Sequence, residues 1–92
     1  MKTITITEHD RYVLDNVDTG SQSRADAMDE FCGLLEEEVA RYCPEEIEVS
    51  VDWIDGMAPR HITISDDCGL DYQNAKYEIH LASERAWERM WS

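Results

Sequence analysis

The sequence predicts an α+β fold, a small, mostly antiparallel sheet packed by one main helix at about residues 23–42 and a short C-terminal helix at about 83–91. Three observations predict it. "KTITIT" (2–7) and "EEIEVSVDW" (45–53) alternate apolar and polar residues with the period of a half-buried strand. "RADAMDEFCGLLEEEVARYC" (24–43) repeats apolar residues at steps of three and four, the period of a helix with one buried stripe. No repeat, low-complexity linker or shift in composition divides the 92 residues, so they read as one domain, 1–92.

In chain order, Ile4 and Ile6 share a face of the first strand, whose β-branched residues favour a pleated backbone. "DRYVLDNV" (10–17) fits either a second hairpin strand or a short helix capped by Thr7, and the strand is preferred. "DTGSQS" (18–23) is a loop whose Ser21 or Ser23 can cap the following helix. On that helix Met28, Phe31, Cys32, Leu35, Val39 and Tyr42 form the stripe, and Pro44 marks its end. Ile47, Val49, Val51 and Trp53 are the buried parity of the next strand, with Trp53 a core residue. "DGMAPR" (55–60) is a connection and "RHITIS" (60–65) a further strand, so a hairpin is expected between them.

"DDCG" (66–69) turns the chain. Over 70–81 two periods compete. Ala75, Tyr77, Ile79 and Leu81 alternate as a strand would, whereas Tyr72, Ala75, Ile79, Ala82 and Ala86 recur at helical steps; a strand followed by a short helix is preferred to one long helix. In "SERAWERMWS" (83–92) Ser83 is placed near the N-cap and Ala86, Trp87, Met90 and Trp91 supply the apolar side. Core packing is the default for Trp87 and Trp91, although tryptophan is also enriched among interface anchors.

Charge is the most informative property. The chain holds 21 Asp and Glu against 8 Lys and Arg, a formal net of −13, and residues 26–55 hold eleven of those acids against one base, Arg41, a local net of −10. Self-repulsion of that size lowers stability, and solubility alone needs a net magnitude of only roughly 2 to 8 for a small domain. At 100° per residue, Asp26, Glu30 and Glu37 lie almost opposite the helical stripe, with Asp29 and Glu36 on one flank. Glu36, Glu37 and Glu38 lie near the C-terminal end, where the helix dipole opposes them, so local helix stability does not explain them. Glu46, Glu48 and Asp52 occupy the outward parity of the strand, and Asp55 follows it. Carboxylates four apart on a helix rise about 6 Å and two apart on a strand about 6.6 to 6.8 Å, close to the roughly 7 Å between successive phosphates of one DNA strand.

A field of this sign disfavours direct contact with nucleic acid or anionic lipid and favours a basic protein partner. Cys32, Cys43 and Cys68 are odd in number and lack paired spacing, which suits a reducing cytosol. No apolar run approaches the roughly 20 residues of a membrane span, and the start lacks a signal-peptide core, so a cytoplasmic location is expected. His9, His61 and His80 with the three cysteines show none of the paired spacings of a closed zinc site, and Asp66, Asp67 and Asp71 lack the alternation and closing Glu of a calcium loop. No Gly-rich phosphate loop is present, and no motif marks a Cys–His nucleophile pair. The expectation is therefore a protein that is not an enzyme, with no catalytic residue, no cofactor and no metal site.

In size and in the acidic tract from "MDEFCGLLEEEVARY" to "EEIEVSVDW", the chain resembles the small acidic inhibitors that phages and mobile elements carry against CRISPR or restriction systems. The resemblance is one of class. It implies a non-enzymatic DNA mimic or anti-CRISPR-like inhibitor in the cytoplasm of a bacterial host, docking on the basic surface of a nuclease or nucleic-acid-binding complex. The partner-binding residues expected from the tract are Asp26, Asp29, Glu30, Glu36, Glu37, Glu46, Glu48, Asp52 and Asp55. The alternative is a small regulatory or assembly module that binds a basic protein by interactions unrelated to nucleic-acid mimicry.

Overall fold

A computed structural model of the chain describes Lys2 to Trp91. The elements run β1 (Thr3–His9), α1 (Asp10–Val13), α2 (Arg24–Tyr42), β2 (Glu48–Ile54), β3 (His61–Ile64), a 3-10 turn (Asp66–Cys68) and α3 (Tyr72–Trp91). The class is α+β, with a three-stranded sheet in the order β2-β1-β3. That sheet is mixed, with one parallel and one antiparallel pairing, where the sequence predicts a mostly antiparallel sheet. β1 pairs in parallel with β2, placing Ile4 beside Val49 and Ile6 beside Val51, and antiparallel with β3, placing Ile4 opposite Ile64 and Ile6 opposite Ile62. The cause is the connection: a 19-residue helix between β1 and β2 carries the chain back along the sheet, so β2 restarts in the direction of β1.

The expected β2–β3 hairpin is likewise replaced. β1 lies between the two strands, and residues 55–60 cross its end, fastened by Arg11 N–H donating to Gly56 C=O at 3.0 Å and Gly56 N–H donating to Asp10 Oδ1 at 3.1 Å. The same bonds explain why 10–13 form a helical turn in place of the expected strand. The cap of that turn is His9, without a side-chain bond, so the Thr7 capping option is not used. Asp10 instead receives Gly56 N–H and Arg11 N–H, which hold its carboxyl below the ordinary value.

α2 has the expected boundaries. Ser23 is its N-cap and accepts Asp26 N–H at 3.1 Å, a bond worth about 0.5 to 2 kcal/mol, and the helix closes at Tyr42 two residues before Pro44. Its stripe, Met28, Phe31, Cys32, Leu35 and Val39, is buried against one face of the sheet, where it meets Ile4, Ile6, Val51 and Ile62. Each fully buried Ile, Leu or Met contributes about 1.5 to 3 kcal/mol relative to exposure.

α3 runs unbroken over 72–91, so the strand expected over 75–81 does not form and the C-terminal helix is more than twice its expected length. Asp71 starts it by accepting Asn74 N–H at 3.2 Å. Of the two competing periods, the helical one matches what is buried: Ala75, Ile79, Ala82 and Ala86 all lie inward, whereas Tyr77 is exposed. Small residues at those steps let α3 pack closely along α2. Ser83 is an interior helical residue, not a cap, and donates to His80 C=O at 2.6 Å. Trp87 meets Phe31 edge-on at 6.0 Å and Trp91 at 5.4 Å; Trp87 is half-buried against the core and Trp91 is exposed.

The two long helices cover one sheet face only. On the opposite face Thr5, Glu48, Asp52, His61 and Thr63 are exposed. Among the described residues no helix is long and apolar enough to cross a membrane.

Candidate protein-docking surface

All nine carboxylates expected to bind a partner are exposed, but they do not point one way. Because α2 buries Ala27, Met28, Phe31, Leu35 and Val39, the residues opposite them, Asp26, Glu30 and Glu37, face away from the sheet. Glu48 and Asp52 alternate with Val49, Val51 and Trp53, whose side chains face α2, so these two carboxylates emerge from the uncovered face. The two sets point in opposite directions across a two-layer structure.

Asp29 and Glu36 join them around the side. They occupy the flank of α2 next to Cys32, above β2, and Asp29 Oδ1 accepts Trp53 Nε1–H at 2.8 Å, tying helix to strand. Burial pushes the Cys32 thiol up to about 12, and the negative charges of Glu8, Asp29, Asp52 and Glu36 add to that rise. The Trp53–Asp29 bond and the parity of β2 set Asp29, with Glu36 about two turns along the same flank, on the helix side of the β2 edge and Asp52 on its open side. Glu46 and Asp55 bracket the strand at its two ends.

Several of these groups already hold an intramolecular cation. Lys2 meets Glu46 at 3.2 Å, Arg11 meets Asp55 at 3.7 Å and Arg89 meets Glu37 at 3.4 Å, while Gln22 Nε2 donates to Glu30 at 3.4 Å. Exposed pairs of this kind are worth about 0 to 1 kcal/mol, so a competing cation displaces them easily. Asp26, Glu36, Glu48 and Asp52 hold no ion pair or side-chain hydrogen bond among the described residues.

Two acids prove to be structural. Glu38, 2% exposed, accepts Arg85 Nε–H at 3.1 Å and Arg89 Nη1–H at 2.9 Å, with Arg41 Nη1 at 3.3 Å. Desolvation raises its pKa, but the bonds from Arg85 and Arg89 and the charge of Arg41 outweigh it and leave the carboxyl below its ordinary value. This clamp accounts for one of the three C-terminal glutamates that the helix dipole disfavours. Its signal was present in the sequence, because at 100° per residue position 38 falls between Ala27 and Phe31 on the buried side. Glu8, 1% exposed, meets Arg60 Nε at 2.5 Å. Glu8 lies on the buried parity of β1, and the β1–β3 register, extended one residue beyond the Thr7–His61 pair, sets Arg60, the residue before β3, opposite it.

A concavity lies elsewhere, between α3 and the β3 side of the sheet. Two adjoining hollows of about 570 and 340 Å³ share Tyr12, Arg60 and Ser83 as walls, and Lys76, Tyr77 and His80 line the larger. Ser83 and His80 are neighbours there, but the Ser83 hydroxyl donates to a backbone carbonyl and His80 Nε2 faces Glu84 Oε1 at 3.2 Å, so the pair is not arranged as nucleophile and base. Among the described residues no three His, Cys, Asp or Glu side chains converge as a metal site would require. No protein-family model matches this chain, and no curated protein or solved structure matches it.

Proposed function

We propose that this protein is a non-enzymatic inhibitor, acting in the cytoplasm of a bacterial host, that docks on the basic surface of a nuclease or other nucleic-acid-binding complex. One observation carries the reading. Four exposed carboxylates from two elements, Asp29, Glu36, Glu48 and Asp52, wrap the β2 edge without a cationic partner among the described residues, in a chain of net charge −13. Asp29 and Glu36 are separated by about 10 Å along the helix, and Glu48 and Asp52 by about 13 Å along the strand. Such a surface attracts a basic cleft over long range, raising the association rate, and holds arginines by charge-assisted hydrogen bonds on contact.

A second reading, a regulatory or assembly module unrelated to nucleic-acid mimicry, is favoured by the orientation of Asp26, Glu30 and Glu37 on the far side of α2. A duplex mimic using all nine carboxylates needs them on one face.

Capture of partners from bacterial lysate on the immobilised protein, followed by elution with duplex DNA, separates the two. The inhibitor reading expects nucleases or other DNA-binding proteins that DNA displaces. Combined Asp29→Asn, Glu36→Lys, Glu48→Lys and Asp52→Lys changes should abolish that capture at low salt, whereas Asp26→Lys, Glu30→Lys and Glu37→Lys should leave it. Partners that DNA does not displace, or equal loss from both sets, would overturn the assignment.

A further inference from the structure

β2 is a sheet edge of an unusual kind for so acidic a protein. It is seven residues long, as long as the central strand, and contains neither proline nor glycine; the opposite edge, β3, has four residues. Glu48 N–H donates to Lys2 C=O at 2.9 Å. In a parallel pair, alternate residues direct both backbone groups at the same neighbour, so Glu48, Ser50 and Asp52 bond to β1, and Val49, Val51 and Trp53 turn their N–H and C=O groups outward. Among the described residues, no turn, loop or side chain bonds to those outward groups. A long edge with free donors and acceptors is a template for another strand, which natural sheets ordinarily blunt by shortening, by proline, by a bulge or by charge.

Only charge is used here, and it has one sign. Asp29 and Glu36 stand on the helix side of the edge and Glu48 and Asp52 on the open side. A second copy of this chain laid along the same edge would set acid rows against each other in a dimer of net charge −26, twice the −13 of one chain, so self-pairing is opposed. A segment carrying lysine or arginine at alternate positions meets the reverse situation. Its backbone completes the outward groups of Val49, Val51 and Trp53, and its cationic parity reaches Glu48 and Asp52 on the open side while the other parity lies beneath the α2 flank.

We infer that the outer edge of β2 receives an extended, lysine- or arginine-rich segment of another protein as a fourth strand. The inference rests on the docking reading above and specifies its mode: backbone pairing supplies affinity and alternate side-chain positions supply the preference for cations. The edge contributes what a carboxylate patch alone does not, a requirement that the partner be extended and free to hydrogen-bond.

The test uses the full chain and two capped nine-residue peptides of equal charge, one alternating Lys with Thr and one alternating Lys with Pro, which cannot pair as a strand. Amide hydrogen exchange is followed by NMR at low salt. The Lys-Thr peptide is expected to slow exchange at Val49, Val51 and Trp53 by about tenfold or more, with no such change from the Lys-Pro peptide. A Val49→Pro variant, which removes an outward donor while leaving the β1 ladder intact, should bind the Lys-Thr peptide about three- to tenfold more weakly. Should that variant fail to fold, exchange on the unaltered chain decides alone.

Equal binding of both peptides, lost on Glu48→Lys and Asp52→Lys, would overturn strand addition while supporting the acidic docking surface. Binding by neither peptide overturns both. Protection of the same amides without peptide, together with a dimer in sedimentation, would overturn the inference in favour of a second copy.

Discussion

Replacing Glu38 by Gln is the sharpest probe of how the two long helices are held. The carboxylate is 2% exposed and takes hydrogen bonds from Arg85 and Arg89 plus the nearby charge of Arg41. Breaking a fully buried ion pair costs about 3 to 5 kcal/mol, mostly because a charge is left stranded. Here the survivors would be arginines whose side chains are 48%, 40% and 70% exposed, and these rehydrate. The cost then falls towards that of lost hydrogen bonds to a charged group, about 2 to 3 kcal/mol. For a domain of this size such a loss lowers the thermal midpoint by about 8 to 24 °C. The pH dependence has a definite sign. A carboxyl held below its ordinary value of 4.5 stabilises the fold fully above that pH and loses the contribution as pH falls through its folded value. Urea denaturation of both proteins from pH 7 to pH 2 should show the difference intact at neutrality and closing in acid. A difference below about 0.5 kcal/mol at pH 7, or one that stays constant down to pH 2, would refute the clamp.

Three further outcomes are expected. Arg60→Met leaves the buried Glu8 carboxylate without its cation and should cost about 3 to 5 kcal/mol in chemical denaturation, whereas Glu8→Leu combined with Arg60→Met should recover most of that loss. Gly56→Ala should destabilise by about 1 to 3 kcal/mol, because an added Cβ would stand 2.7 Å from His9 Cδ2, and the His9 ring, whose Nδ1 is buried without a partner among the described residues, must move; calorimetry reads the shift. Thiol alkylation near pH 8, mapped by mass spectrometry, should label Cys68 first and leave Cys32 unreacted until the protein unfolds, since Cys32 is buried with its pKa near 12 and burial also raises that of Cys43.

The sequence was a good guide wherever the deciding chemistry was local. Ser23 and Pro44 bound α2 because a cap and a chain break act on their own neighbours, and the alternation in β1, β2 and β3 needs only a sheet with one buried face. Residues 70–81 were ambiguous for a physical reason: Ala75 and Ile79 fit a period of two and a period of 3.6 equally, and only contact with α2, which buries Ala82 and Ala86 but not Tyr77, separates them. Strand order was equally beyond reach, because a six-residue link between β2 and β3 is long enough either to close a hairpin or to cross the end of β1.

Sequence by itself thus determined the α+β class, the main helix, the surplus of carboxylates and their concentration within residues 26–55, all properties of composition and short-range spacing. Tertiary structure alone decided the direction of those charges. A helix and a strand that bury facing sides in a two-layer fold turn their polar sides in opposite directions. Asp26, Glu30 and Glu37 therefore part from Glu48 and Asp52, and only the flank of α2 above the β2 edge, with Asp29 and Glu36, brings charge from both elements together.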